Sequence, residues 1–164
     1  MTVLDDVLRP GLQVVFCGSA VGAKSALRKA YYAGPGNQFW PVLFRAGFTD
    51  RQLAPEEYRN IVEFSIGLTD INKLESGSDR SLSKAAFDAD GLRERILLHA
   101  PRFLAFNGKK SAQAYFGNTR KALAYGLQPE TIGTTQIFVL PSTSGAARGF
   151  WDETHWHALA KMLT

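Results

Sequence analysis

The chain has 164 residues, 45% of them hydrophobic and 21% charged, which is the length and balance of one globular domain. The formal net charge is +4, and the lone cysteine, Cys17, excludes an internal disulfide and any cysteine-ligated iron–sulfur or zinc centre. Met1 to Gly11 carries Asp5 and Asp6 without a signal-like apolar core, and no run approaches the roughly 20 apolar residues of a membrane span, so a soluble cytoplasmic protein is expected.

Leu12 to Cys17, rich in β-branched and aromatic residues, predicts a short buried strand running straight into the loop Gly18-Ser-Ala-Val-Gly22. Helical patterns follow at Asn37 to Ala46 and Pro55 to Phe64, and Phe64 to Leu68 reads as a strand ending just before Asp70. Glu75 to Ser83, polar and serine-rich, reads as a surface loop with room to move. Leu82 to His99 predicts a long helix. Arg102 to Asn107 predicts a second buried strand, followed by Gly108-Lys-Lys and a helix through Phe116. Gln136 to Leu140 predicts a third strand, which feeds Pro141-Ser-Thr-Ser-Gly145, and Asp152 to Leu163 predicts the last helix. Strands alternating with helices imply an α/β protein with a mainly parallel sheet, in one domain spanning residues 1–164. Ligands of such sheets bind beyond the carboxyl ends of the strands, here the loops at Gly18, Leu68, Gly108 and Pro141.

No acid lies between Asp6 and Asp50 or between Glu94 and Glu130. One basic stretch therefore holds Arg9, Lys24, Arg28, Lys29 and Arg45, and another holds Arg95, Arg102, Lys109, Lys110, Arg120 and Lys121. Gathered together they make a phosphate-attracting face; dispersed, they merely solvate helices. Gly18-x-x-x-Gly22 has neither the spacing of a dinucleotide loop nor the ending of a P-loop. The paired aromatics of Tyr31-Tyr-Ala-Gly-Pro-Gly-Asn-Gln-Phe-Trp40 either pack in the core or present a ring on the Gly/Pro turn. Pro141 to Arg148 is either a plain connection or a small-residue loop able to approach a phosphate backbone. Asp70 is a strand-end base or a turn cap. His155 and His157, two residues apart around Trp156, point to different faces, so neither a metal site nor a cofactor is expected.

The blocks Val14-Val-Phe-Cys-Gly18, Pro35-Gly-Asn-Gln-Phe-Trp40, Ala46-Gly-Phe-Thr-Asp-Arg-Gln-Leu53, Gly67-Leu-Thr69 and Thr135-Gln-Ile-Phe-Val-Leu-Pro-Ser-Thr-Ser-Gly145, in this order along nearly the whole chain, resemble the bacterial mismatch-specific uracil-DNA glycosylases, relatives of thymine-DNA glycosylase. The resemblance implies a three-layer α/β/α sandwich and hydrolysis of the N-glycosidic bond of uracil mispaired with guanine, on a base flipped out of DNA and without metal or redox cofactor. DNA is the implied partner, and no obligate protein partner is evident. By matching positions, Tyr32 is the aromatic that stacks on the flipped base, and the loop of Gly18, Ser19 and Ala20 faces the polar edge of that base. Ser25, Asn37 and Ser142 lie near it. Ser144, Gly145, Ala146 and Arg148 belong to the segment that enters the duplex, and Lys109 meets DNA.

Three motifs depart from the family pattern. The first motif normally reads Gly-Ile-Asn-Pro-Gly, with the asparagine positioning water, whereas Ala20 stands at that place here. The second normally begins Asn-Pro-Ser-Gly-Leu, whereas here it is Ser142-Thr-Ser-Gly-Ala146, with a smaller wedge. A lysine normally follows Gly-Leu-Thr, and here Asp70 does. Other branches that carry alanine in the first motif use an acid elsewhere, and a carboxylate suits an oxocarbenium-like transition state, so Asp70 is the expected catalytic residue. The alternatives are a catalytically weak lesion-binding protein of the same fold, to which Ala20 points, and a small-molecule-binding α/β domain.

Overall fold

Strand β1 (Val14–Gly18) pairs in parallel with β2 (Ile66–Asp70) on one side and β3 (Phe103–Asn107) on the other, and every residue of the three is buried. The computed structural model describes residues 2–120 and 122–164, and the side chains of all of these except Asp79, Asn118 and Phe150. Lys121 of the second basic stretch therefore lies outside the described residues. The sheet is completed by β5 (Thr135–Leu140), parallel to β3, and by β4 (Gly126–Ile132), antiparallel to β5, in the order β2-β1-β3-β5-β4.

Alternate residues of each strand point to opposite faces, which separates two cores. Val14, Phe16, Ala105 and Phe138 pack under α2 (Phe39–Arg45), the 3₁₀ helix Pro55–Phe64 and α5 (Thr154–Met162). Phe16 is central there, with its ring centroid 5.4 Å from those of both Phe39 and Trp156. Val15, Cys17, Phe106 and Val139 pack on the opposite side under α3 (Ala89–His99) and α4 (Lys109–Phe116). The expected α/β/α sandwich with a mainly parallel sheet is the architecture observed.

Three element readings need correction and one strand is added. The strand read at Phe64 to Leu68 starts at Ile66, because Ser65 takes a left-handed conformation (φ 60°) that closes the preceding 3₁₀ helix. The long helix read from Leu82 begins only at Ala89, where the Asp88 carboxylate accepts the Gly91 N–H at 2.8 Å. The helix read from Asn37 begins at Phe39, whose N–H donates to Asn37 Oδ1 at 2.9 Å. Strand β4 was unforeseen, since Gly-Leu-Gln-Pro-Glu-Thr-Ile is polar, contains Pro129 and tolerates it only at an edge. The Glu75–Ser83 segment is also pinned: the Glu75 carboxylate accepts from Asn72 Nδ2, Ser83 N and Ser83 Oγ, and Gly77 N donates to Val21 O at 3.0 Å.

Candidate active site

A cleft of about 880 Å³ opens at the carboxyl ends of β1, β2, β3 and β5. Of the residues singled out in the sequence, Gly18, Ser19, Ala20, Ser25, Tyr32, Asn37, Asp70, Lys109, Ser142, Ser144, Gly145 and Ala146 line it. Arg148 does not; its guanidinium stands beside the Pro35-Gly36 turn, where a Cβ on Gly36 would lie 3.1 Å from Nη2. Gly145 packs on the same turn, 3.1 Å separating its would-be Cβ from Pro35 O. Ser144 caps its own loop by accepting the Ala146 N–H, and Ser142 Oγ accepts the Ser144 N–H at 3.2 Å.

Asp70 ends β2, directly beside Gly18, and is only 2% exposed. Its Oδ2 lies 3.2 Å from Lys73 Nζ, which also reaches Asp6 Oδ1 at 2.8 Å and donates to Tyr31 Oη at 3.0 Å. Arg95 of α3 donates to the Asp70 carbonyl at 2.9 Å and pairs with Asp6 at 3.3 Å. Thr69 Oγ1 donates to Asp6 Oδ1 at 2.8 Å. Asp6 is delivered by a short antiparallel bridge between Val7 and Leu68, which lies so close that a Cβ on Gly67 would be 2.5 Å from Val7 O. Burial pushes the Asp70 carboxyl above the ordinary carboxylate value; the Lys73 ammonium opposes this and Asp6 reinforces it. The whole partly buried network of Asp6, Lys73, Tyr31 and Arg95 escaped sequence reasoning, the one local signal being a lysine three residues after Asp70.

Tyr32 sits in the left-handed region at φ 53°, with its ring stacked on Phe39 at 4.0 Å between centroids. The residue also lines the cleft. Ser25 is buried and its Oγ accepts the Ala33 N–H at 2.8 Å, so it serves to close the turn that presents Tyr32. The Asn37 side-chain oxygen is committed to the start of α2. Asn107, at the end of β3 and not anticipated, donates from Nδ2 to Thr143 Oγ1 at 2.9 Å and accepts the Thr143 N–H at 3.0 Å. That exchange fastens the Ser142–Arg148 loop to the sheet.

The basic stretches converge only in part. Lys24, Lys109 and Lys110 line the cleft together with Arg80, which the sequence did not single out. Arg28 is instead paired with Glu56, Arg45 with Glu153 and Arg120 with Glu130, each consumed by a neighbouring acid on its own surface. Lys109 Nζ stands 4.3 Å above the Tyr125 ring. Among the described residues no group of three or more His, Cys, Asp or Glu could hold a metal ion, and no helix is long and apolar enough to cross a membrane. His157 is engaged by Glu153 and His155 by Asp152.

A planar ring slot, a buried carboxylate at its floor, a small-residue loop at its rim and cations around its mouth suit a flipped heterocycle that is still attached to a phosphodiester chain. The profile of the uracil DNA glycosylase superfamily matches residues 6–161. The chain is also similar to the solution NMR structure of a candidate uracil DNA glycosylase from Methanosarcina acetivorans, with 27% identity over 98% of this chain and 96% of that one and a TM-score of 0.68.

Proposed function

The chain belongs to the uracil DNA glycosylase superfamily, whose members are DNA glycosylases, and from that premise we propose that it excises uracil from DNA, notably opposite guanine, by hydrolysing the N-glycosidic bond and leaving an abasic site. The observation that carries the reading is the buried Asp70 carboxylate at the cleft floor, in a chain whose first motif offers only the Ala20 methyl group. The flipped base stacks on Tyr32, with its polar edge against the Gly18–Gly22 loop. The Ser142–Arg148 loop enters the duplex at the vacated position, while Lys24, Arg80, Lys109 and Lys110 neutralise phosphates. As the C1′–N bond lengthens, Asp70 stabilises the oxocarbenium-like sugar and accepts a proton from the attacking water. Lys73 and Tyr31 hold that carboxylate while Arg95 fixes the Asp70 main-chain carbonyl, and the lysine opposes the upward push of burial on the carboxyl.

The second reading is a lesion-binding protein that flips the base without efficient hydrolysis. It is favoured by the same 3.2 Å contact, because Lys73 neutralises part of the charge that catalysis would use. The test is a set of end-labelled duplexes carrying one uracil opposite guanine or adenine, incubated with excess protein and then treated with alkali. Time-dependent scission, faster opposite guanine, supports the glycosylase. Absence of scission with tight, uracil-dependent binding supports the lesion-binding reading, and equal affinity for undamaged duplex contradicts both.

A further inference from the structure

The Tyr32 hydroxyl has no role in stacking, yet it is placed with some cost. Its oxygen is buried without a hydrogen-bond partner among the described residues, a condition folded proteins avoid unless a ligand or water completes it. Asn107 comes close enough to pull the phenol's pKa down, but its amide is committed to Thr143, donating from Nδ2 at 2.9 Å and accepting at 3.0 Å. The backbone that puts it there is itself held off the usual conformations, at φ 53°, by the Ser25–Ala33 bond and by the stack on Phe39.

The place it faces is defined by Gly18. A Cβ on Gly18 would stand 3.2 Å from Tyr32 Oη and also 3.2 Å from Asp70 Oδ1, so both oxygens look onto the same side of that glycine. Asp70 Oδ1 is the oxygen that Lys73 leaves untouched, since the lysine takes Oδ2. Burial, reinforced by Asp70 and opposed by Asn107, pushes the phenol well above its ordinary value, so the hydroxyl stays protonated and acts as a donor.

We propose that the Tyr32 hydroxyl is a catalytic residue of the excision step, holding the attacking water jointly with Asp70 Oδ1 at the Gly18 end of the cleft, an inference that rests on the Asp70 reading above. The water accepts a hydrogen bond from Tyr32 and donates one to Asp70, which leaves its second lone pair directed at the sugar. In the step, the water oxygen bonds to C1′ and its proton passes to Asp70. The C1′–N bond breaks with its electron pair staying on the departing base, which solvent then protonates. Tyrosine and aspartate together thus replace the motif asparagine that Ala20 lacks.

Tyr32→Phe keeps the ring, the stack and the base slot and removes one oxygen that makes no hydrogen bond of good geometry among the described residues. Two quantities are measured: the single-turnover excision rate on a guanine–uracil duplex, and the Kd for the same duplex carrying 2′-fluoro-2′-deoxyuridine, which resists hydrolysis. The expected result is a rate at least roughly tenfold lower with the Kd within about twofold of wild type, and an unchanged urea midpoint. Gly18→Ala, which puts a methyl group between the two oxygens, should likewise lower the rate more than the affinity. A Tyr32→Phe rate equal to wild type, while Asp70→Asn is inactive, overturns the role of the hydroxyl and leaves the Asp70 reading standing. A loss confined to Kd also overturns it, making Tyr32 Oη a base contact. An Asp70→Asn protein as fast as wild type removes the Asp70 reading on which the inference depends.

Discussion

Replacing Lys73 with methionine keeps a long apolar stem but deletes the ammonium lying 3.2 Å from Asp70 Oδ2 and 2.8 Å from Asp6 Oδ1. At an effective dielectric of about 20, unit charges 3.2 Å apart attract by about 5 kcal/mol, most of which offsets the desolvation of a carboxylate whose side chain is 3% exposed. Breaking a buried pair by removing one partner costs about 3 to 5 kcal/mol, and here Asp6 keeps Arg95 while Asp70 is left without a cation and with the Tyr31 hydroxyl. The pH dependence has a definite sign. Burial already raises the folded pKa of Asp70 above its unfolded value, so its contribution is fully present below the unfolded pKa and is lost as pH rises through the folded one. Lys73→Met raises the folded pKa further and extends that loss to higher pH. Urea midpoints of both proteins between about pH 5 and about pH 8 should show a gap of about 3 kcal/mol or more at the upper end, narrowing towards acid. A gap below about 1 kcal/mol throughout, or one that widens in acid, would show that Lys73 does not carry the burial of Asp70.

The single-turnover excision rate should rise with pH along a limb set by Asp70, above the ordinary carboxylate range because burial raises that group; a limb at the ordinary position, or one that persists in Asp70→Asn, contradicts this. Lys24→Ala and Arg80→Ala should each weaken duplex binding and reduce the slope of log affinity against log salt by about 1, whereas Arg28→Ala, whose guanidinium is held by Glu56, should leave the slope alone. Fluorescence anisotropy across a salt series decides this, and identical behaviour of all three would refute the assignment. Gly67→Ala forces a methyl to within 2.5 Å of Val7 O and 2.8 Å of Leu12 Cδ1, which should destabilise by about 1 to 3 kcal/mol. Because Val7 carries its neighbour Asp6 into the network, excision should fall as well; a melting temperature equal to wild type counts against the close approach.

The parts of the fold legible in the sequence were those whose residues are buried on both faces. β1, β3 and β5 show as apolar or β-branched runs interrupted only at Asn107 and Gln136, and their following loops are marked by Gly18, Gly108 and Pro141. β4 was not legible because an edge strand with one dry face needs only Gln128 and Ile132 buried, and its pattern is diluted by Pro129 and a bulge between Leu127 and Thr131. Helix starts were misread where a side chain, Asn37 or Asp88, ends the approach by accepting an N–H two or three residues on. In the site, the motif loops placed most named residues at one cleft because strand ends in a parallel sheet are neighbours. What remained hidden were contacts across long sequence separations: Asp6 with Thr69 and Lys73, Asn107 with Thr143, and the partitioning of arginines between the cleft and nearby acids. Local pattern carries no information about these, since each depends on which strands the chain sets side by side.

Asp70→Asn preserves the shape of the buried side chain while removing its charge and its ability to accept a proton. Wild type and variant, each in excess over a labelled duplex with one uracil opposite guanine, are followed in single turnover by alkaline cleavage, with thermal melting as the check that both are folded. The account predicts scission by wild type and a rate lower by roughly 30- to 1,000-fold in the variant, corresponding to about 2 to 4 kcal/mol of lost transition-state stabilisation. A folded Asp70→Asn protein that excises uracil as fast as wild type would contradict it.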